Sequence, residues 1–155
     1  MTLAEHAPCP VAARILQLSH SDGDMERRNS DRCLRVLIAD DDRDTVTTLT
    51  AIVEAEGHLV YGAHNGTDVL SAVRFFRPDV IVLDISVPGV SGYAAAQAIR
   101  HTFLEIRRPL LIGMSGKWVQ SPDRLIAQQV GFDHYLIKPC DPRQLVDLIA
   151  GQRRP

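Results

Sequence analysis

Val80-Ile81-Val82-Leu83-Asp84-Ile85-Ser86-Val87-Pro88-Gly89 is the stretch on which the fold turns. Four apolar residues in a row suit a strand buried on both faces, which is how strands of a helix-covered parallel sheet read. The Pro-Gly turn closes the run, so Asp84 is expected at the carboxyl tip of that strand. Open α/β sheets place their chemistry at such tips. Upstream, Leu34-Arg35-Val36-Leu37-Ile38-Ala39 delivers Asp40, Asp41 and Asp42 to the tip of an expected neighbouring strand. Downstream, Tyr135-Leu136-Ile137 delivers Lys138-Pro139 in the same manner.

Outward from these strands, apolar runs alternate with helical periodicity in five units from Leu34 onward. The pattern predicts a doubly wound five-stranded parallel sheet flanked by five helices. The first helix is expected from near Asp44, as its cap, to Gly57, with Val46, Leu49, Ile52 and Val53 inward. Leu59-Val60-Tyr61 reads as the second strand. A helix with Val69, Leu70, Val73 and Phe76 on its apolar side follows Asn65-Gly66-Thr67 and ends at Pro78. After the turn from Pro88 to Gly92 come a helix through Ala94 to Ile99 and a strand over Leu110 to Met114, closed by Ser115-Gly116. Ser121-Pro122-Asp123 opens a helix with Leu125, Ile126 and Val130 apolar, stopped by Gly131. Asp141-Pro142 starts the last helix, with Leu145, Val146, Leu148 and Ile149 inward.

The domain is expected over residues 34–151, preceded by a tail or linker over 1–33 and followed by a short tail over 152–155. Pro8, Pro10 and the polar stretch from Ser19 to Asp24 set the N-terminal extension apart. Within it Val11, Ile15 and Leu18 fall at i, i+4 and i+7, which predicts one short amphipathic helix, marginal alone in water.

Composition excludes several functions. With 45% hydrophobic and 23% charged residues the chain reads as an ordinary soluble domain. Seventeen basic against nineteen acidic residues, scattered along the chain, leave no footprint for nucleic acid or anionic membrane. Cys9, Cys33 and Cys140 are too widely spaced for a disulfide framework or zinc knuckle, which suits a reducing cytoplasm. Histidines 6, 20, 58, 64, 101 and 134 show no ligand spacing and read as surface or strand-end residues. No segment reaches the ~20 apolar residues that span a bilayer.

The three tips together define a chemistry. Acids at strand ends often only cap the next helix, and Asp42 and Asp44 are read that way. Asp40, Asp41 and Asp84 would crowd three negative charges into one cleft, which is costly unless a cation or proton compensates. Mg2+ suits such an all-oxygen site. Lys138 adds a point charge able to pair with Asp84 and then with a phosphoryl oxygen. Ser115 adds a hydroxyl, and Gly116 lets a backbone N–H approach an anion unobstructed.

Asp40-Asp41, then Asp84 with Pro88 and Gly92, then Ser115-Gly116, then Lys138-Pro139, at these separations, resembles the receiver domain of bacterial response regulators over Leu34 to about Gly151. The resemblance implies the flavodoxin-like receiver fold and a phosphoacceptor role for Asp84, supplied by a phosphohistidine on a histidine kinase or histidine phosphotransfer protein. It implies Mg2+ (or Mn2+) held by Asp41, Asp84 and the Ser86 backbone carbonyl, with Asp40 acting largely through bound water. Lys138 is then the family's lysine in a cis Lys-Pro bond, Ser115 its hydroxyl switch and Tyr135 its switch aromatic. Ser86, two positions after Asp84, and Lys117, two after Ser115, are placed to contact the phosphoryl group and guard it from water. For Lys117 a merely solvated side chain is an equal reading, and Trp118 reads as loop packing or as part of a partner surface.

Only Gln152 to Pro155 follow the last helix, so the expected output is a contact with a downstream protein, with room for a homodimer and no direct nucleic-acid or membrane contact. Catalysis is expected only on the chain's own aspartyl phosphate, not as a dedicated enzyme. Three readings compete. An aspartyl-phosphate phosphohydrolase of the haloacid-dehalogenase type wants an acid where Ser86 stands. Nucleotide binding wants a glycine-rich first turn where Asp40-Asp41-Asp42 stands. A degenerate, partner-binding receiver would lack some of Asp40, Asp41, Asp84, Ser115 and Lys138, all of which are present.

Overall fold

In the computed structural model, which describes residues 33–86, 89–102, 108–116, 125 and 129–152, each expected strand forms. They are β1 (Arg35–Ala39), β2 (Leu59–Ala63), β3 (Val80–Asp84), β4 (Leu110–Ser115) and β5 (His134–Ile137). All pair in parallel in one sheet of order β2-β1-β3-β4-β5. The helices among the described residues are α1 (Arg43–Ala55), α2 (Gly66–Phe76), α3 (Gly92–Thr102) and α4 (Pro142–Gly151). The helix expected near Val11 and most of the one expected over 121–130 lie outside the described residues, as do Pro88, Lys117 and Trp118.

The sheet separates two cores. Leu37, Ala39, Ile81, Leu83 and Leu111 pack on one face against α2 and α3 through Val69, Val73, Ala96 and Ile99. Val36, Ile38, Val80, Val82, Ile112 and Met114 pack on the other against α1 and α4 through Val46, Leu49, Val53, Leu145 and Ile149. The continuous apolar runs of β1 and β3 follow from this, since both faces of a central strand are covered.

One expectation is corrected. The cap of α1 is Asp42, not Asp44: the Asp42 carboxylate accepts from the Asp44 N–H and the Thr45 hydroxyl, and Asp44 lies in the first turn. The chain turns sharply after β1, so the helix begins one residue past the acid cluster. Asn65 caps α2 by accepting from the Asp68 N–H, the Ser91 hydroxyl oxygen accepts from the Ala94 N–H at the start of α3, and Asp141 caps α4 ahead of Pro142. Gly57 leaves α1 at φ +90°, a conformation that favours glycine.

Candidate phosphoacceptor site

Register brings the tips together. Ile38 pairs with Val82 and Ala39 with Leu83, so Asp40 and Asp84 emerge side by side from β1 and β3. Asp84 pairs with Met114, and Ser115 with Ile137, which sets Ser115 between Asp84 and Lys138. The Lys138 N–H donates to the Ser115 carbonyl at 2.8 Å, and the Lys138-Pro139 bond is cis.

The acids differ sharply in surroundings. Asp40 and Asp84 are buried, whereas Asp41 is exposed. Lys138 Nζ donates to Asp40 Oδ2 at 2.5 Å and to Asp84 Oδ2 at 3.0 Å. Asp40 Oδ1 accepts from the Asp42 N–H, and Asp84 Oδ1 accepts from both the N–H and the hydroxyl of Ser86. Among the described residues Asp40, Asp41 and Asp84 form a group in which one carboxylate oxygen from each lies within 4.8 Å of the others. Such an all-oxygen set, with one acid open to solvent, fits a hard divalent cation that keeps part of its water shell.

Burial sets the proton affinities, and neighbours then split them. Desolvation raises the Asp40 carboxyl above the usual aspartate range, and the bonds from Lys138 and the Asp42 N–H do not cancel it. Desolvation acts on Asp84 too, but the Ser86 N–H, Lys138 and the Ser86 hydroxyl together outweigh it and hold Asp84 below its ordinary value. For Lys138 burial works downward, and its two carboxylate partners more than compensate, so the ammonium is held above the ordinary lysine value. The cleft therefore favours the charged forms of both Asp84 and Lys138.

Loop geometry holds Asp84 in place. A Cβ on Gly92 would lie 2.5 Å from Ile85 Cα, so the start of α3 packs directly on the backbone between Asp84 and Ser86. The Gly92 N–H donates to the Ile85 carbonyl. On β4, a Cβ on Gly113 would lie 3.1 Å from the Phe132 ring and 3.3 Å from the Tyr135 ring. Gly113 and Ser115 share a sheet face, and Tyr135 pairs with Gly113, so Ser115 and the half-buried Tyr135 are close neighbours. Gly116 is exposed, with open space where a side chain would stand.

One contact at the site has no sequence signal beyond a strand-tip position. His64 follows β2, and its Nδ1 lies 3.2 Å from the Asp40 backbone carbonyl.

A doubly wound parallel sheet of order β2-β1-β3-β4-β5, with an acid cluster and an inward lysine at its carboxyl edge, defines an open α/β domain with its candidate site at the strand tips. More narrowly, residues 36–150 match the response regulator receiver domain, and the chain belongs to that family. It is 33% identical over 115 residues to protein PilH of Pseudomonas aeruginosa, covering 74% of this chain and 93% of PilH. It is 30% identical over 120 residues to the DNA-binding response regulator MtrA of Mycolicibacterium paratuberculosis, covering 77% of this chain and 51% of MtrA, so it spans about half of that relative. The receiver domain of the sensor histidine kinase PA1611 from Pseudomonas aeruginosa, with a magnesium ion coordinated in its active-site cleft, superposes with a TM-score of 0.68 at 26% identity, covering 77% of this chain and 97% of that one. Receiver domains are the signalling modules of two-component systems, and the phosphohydrolase and nucleotide-binding readings give way to that assignment. Among the described residues no helix is long and apolar enough to cross a membrane.

Proposed function

We propose that Asp84 is the phosphoacceptor of this receiver, taking a phosphoryl group from a phosphohistidine on a histidine kinase or histidine phosphotransfer protein. The observation that carries the reading is a single buried carboxylate, hydrogen-bonded by Ser86 and paired with Lys138, beside two further acids. An Asp84 oxygen forms the new O–P bond as the N–P bond of the donor breaks, and the freed imidazole nitrogen takes up a proton. Phosphoryl transfer proceeds through a loose transition state, so positioning and charge neutralisation do most of the catalysis.

Asp40, Asp41, Asp84 and the Ser86 carbonyl would hold Mg2+ or Mn2+, and the exposure of Asp41 beside the committed Asp40 favours direct ligation by Asp41 and a water-mediated part for Asp40. When bound, the cation neutralises charge on the transferring phosphoryl oxygens. Lys138 steadies Asp84 before transfer and turns one N–H to a phosphoryl oxygen afterwards. The N–H of Gly116 and the side chains of Ser86 and Lys117 contact the phosphoryl group and limit water. Ser115 moves toward it, and Tyr135 follows into the space on the same sheet face. The altered surface is then read by a downstream protein target, in the cytoplasm, where the kinase's phosphohistidine is presented.

The test is incubation of the full chain with Mg2+ and acetyl phosphate, followed by intact-mass measurement. Wild type gains one phosphoryl group and Asp84→Asn gains none. An equal gain in both proteins, or none in wild type, contradicts the proposal.

A further inference from the structure

We propose that residues 11–18 of this chain dock on an aromatic patch at the β2 edge of the sheet. β2 is an outer strand, and Tyr61 on it stacks edge-on against Phe75 of α2, with ring centroids 5.1 Å apart, and lies 5.7 Å from Phe76. Phe75 is 61% exposed and Tyr61 38%. An outer strand flanked by exposed aromatics invites pairing with other chains unless something covers it, and a helix or loop is a common cover.

The point where the chain enters the fold identifies the occupant. The Leu34 carbonyl accepts from the Leu59 N–H at the foot of β2, and Arg35 Nη1 donates to the Phe76 carbonyl at 3.2 Å. Everything before Cys33 is thus tethered beside the patch. Even as a random coil, residues 19–33 would keep Leu18 within about 20 Å of the entry point, and a tether of that length gives an effective concentration in the millimolar range. Val11, Ile15 and Leu18 repeat at helical spacing just after Pro10. Such a stripe is unstable by itself at two turns and gains most from an apolar surface within reach. The patch lies at the opposite end of α2 from Asn65, away from the acidic cleft, so the proposal stands apart from the phosphoacceptor reading.

The experiment places the photoreactive p-benzoylphenylalanine at position 75 of the full chain, with and without Ile15→Asp, and maps adducts by mass spectrometry after irradiation at low protein concentration. Docking predicts an intramolecular adduct to residues 11–18 that falls at least several-fold with Ile15→Asp. An adduct that Ile15→Asp leaves unchanged reports the tether alone and overturns the proposal. So does an adduct confined to other segments, or one that is intermolecular and grows with protein concentration. Hydrogen exchange supplies a second reading without the label: amides of 59–63 and 72–77 exchange faster in Ile15→Asp than in wild type if the segment covers them, and identically if it does not.

Discussion

Lys138 Nζ reaches Asp84 Oδ2 across 3.0 Å, joining residues 54 positions apart, and the same ammonium serves Asp40 from 98 positions away. One cation from β5 thus compensates two buried carboxylates from β1 and β3. The pairing ties the carboxyl edge of the sheet together and holds the charge of Asp84 in place.

Lys138→Met leaves both carboxylates without a counter-charge. Breaking a buried pair costs about 3–5 kcal/mol, and partial exposure of the lysine lowers the expected loss to about 2 kcal/mol at neutral pH. Because the Lys138 pKa is raised on folding, its contribution is complete below the ordinary lysine value and disappears as pH rises through the raised one. Urea unfolding of the metal-free proteins should show a gap between wild type and variant that is constant from neutral pH upward and closes only in that alkaline range.

Ser86→Ala removes one of the two bonds at Asp84 Oδ1, so the Asp84 pKa is expected to rise toward the ordinary aspartate value. The depressed carboxyl stabilises the fold above that ordinary value, and the contribution is lost as pH falls through the folded-state value. Carbon-13 NMR titration of the Asp84 carboxyl in metal-free buffer checks the shift. An unchanged titration would show that the serine hydroxyl does not hold the carboxylate.

Gly92→Ala would force a Cβ to within 2.5 Å of the Ile85 backbone, which cannot swing aside as a side-chain end could. Overpacking of this kind costs about 1–3 kcal/mol. Chemical denaturation should register that loss, and it should fall on the loop that carries Asp84 and Ser86.

Arg100 fastens the other end of the sheet. Its guanidinium donates to the Gly131 and Pro109 carbonyls and to Asp133, whose carboxylate also accepts from the Leu111 N–H. Arg100→Met strands these acceptors, with an expected loss of about 2–3 kcal/mol. Thermal unfolding should show a lower midpoint, while metal-free titration of the distant Asp84 stays as in wild type.

The strands were legible because burial on both faces turns β1, β3 and β4 into largely apolar runs, and the starts of α2 after Asn65 and of α4 at Asp141-Pro142 were legible because turn-forming residues sit directly before helical periodicity. The α1 cap was legible only in part, since Asp42 and Asp44 both read as capping acids and the turn after β1 selects Asp42. Residue pattern alone does not separate Asp40 from Asp41; only the family resemblance did, in assigning direct ligation to Asp41 and a water-mediated part to Asp40. Their division into a buried partner of Lys138 and an exposed acid depends on side-chain direction at the strand tip. Arg100 gave no signal because two of its partners are backbone carbonyls, which every residue carries.

The identity of the phosphorylated atom tests the account most directly. After reaction with acetyl phosphate and Mg2+, borohydride reduction converts an aspartyl phosphate to homoserine, and tandem mass spectrometry then reads its position. Homoserine at position 84 alone is predicted; homoserine at 40 or 41, with Asp84 intact, would contradict the account.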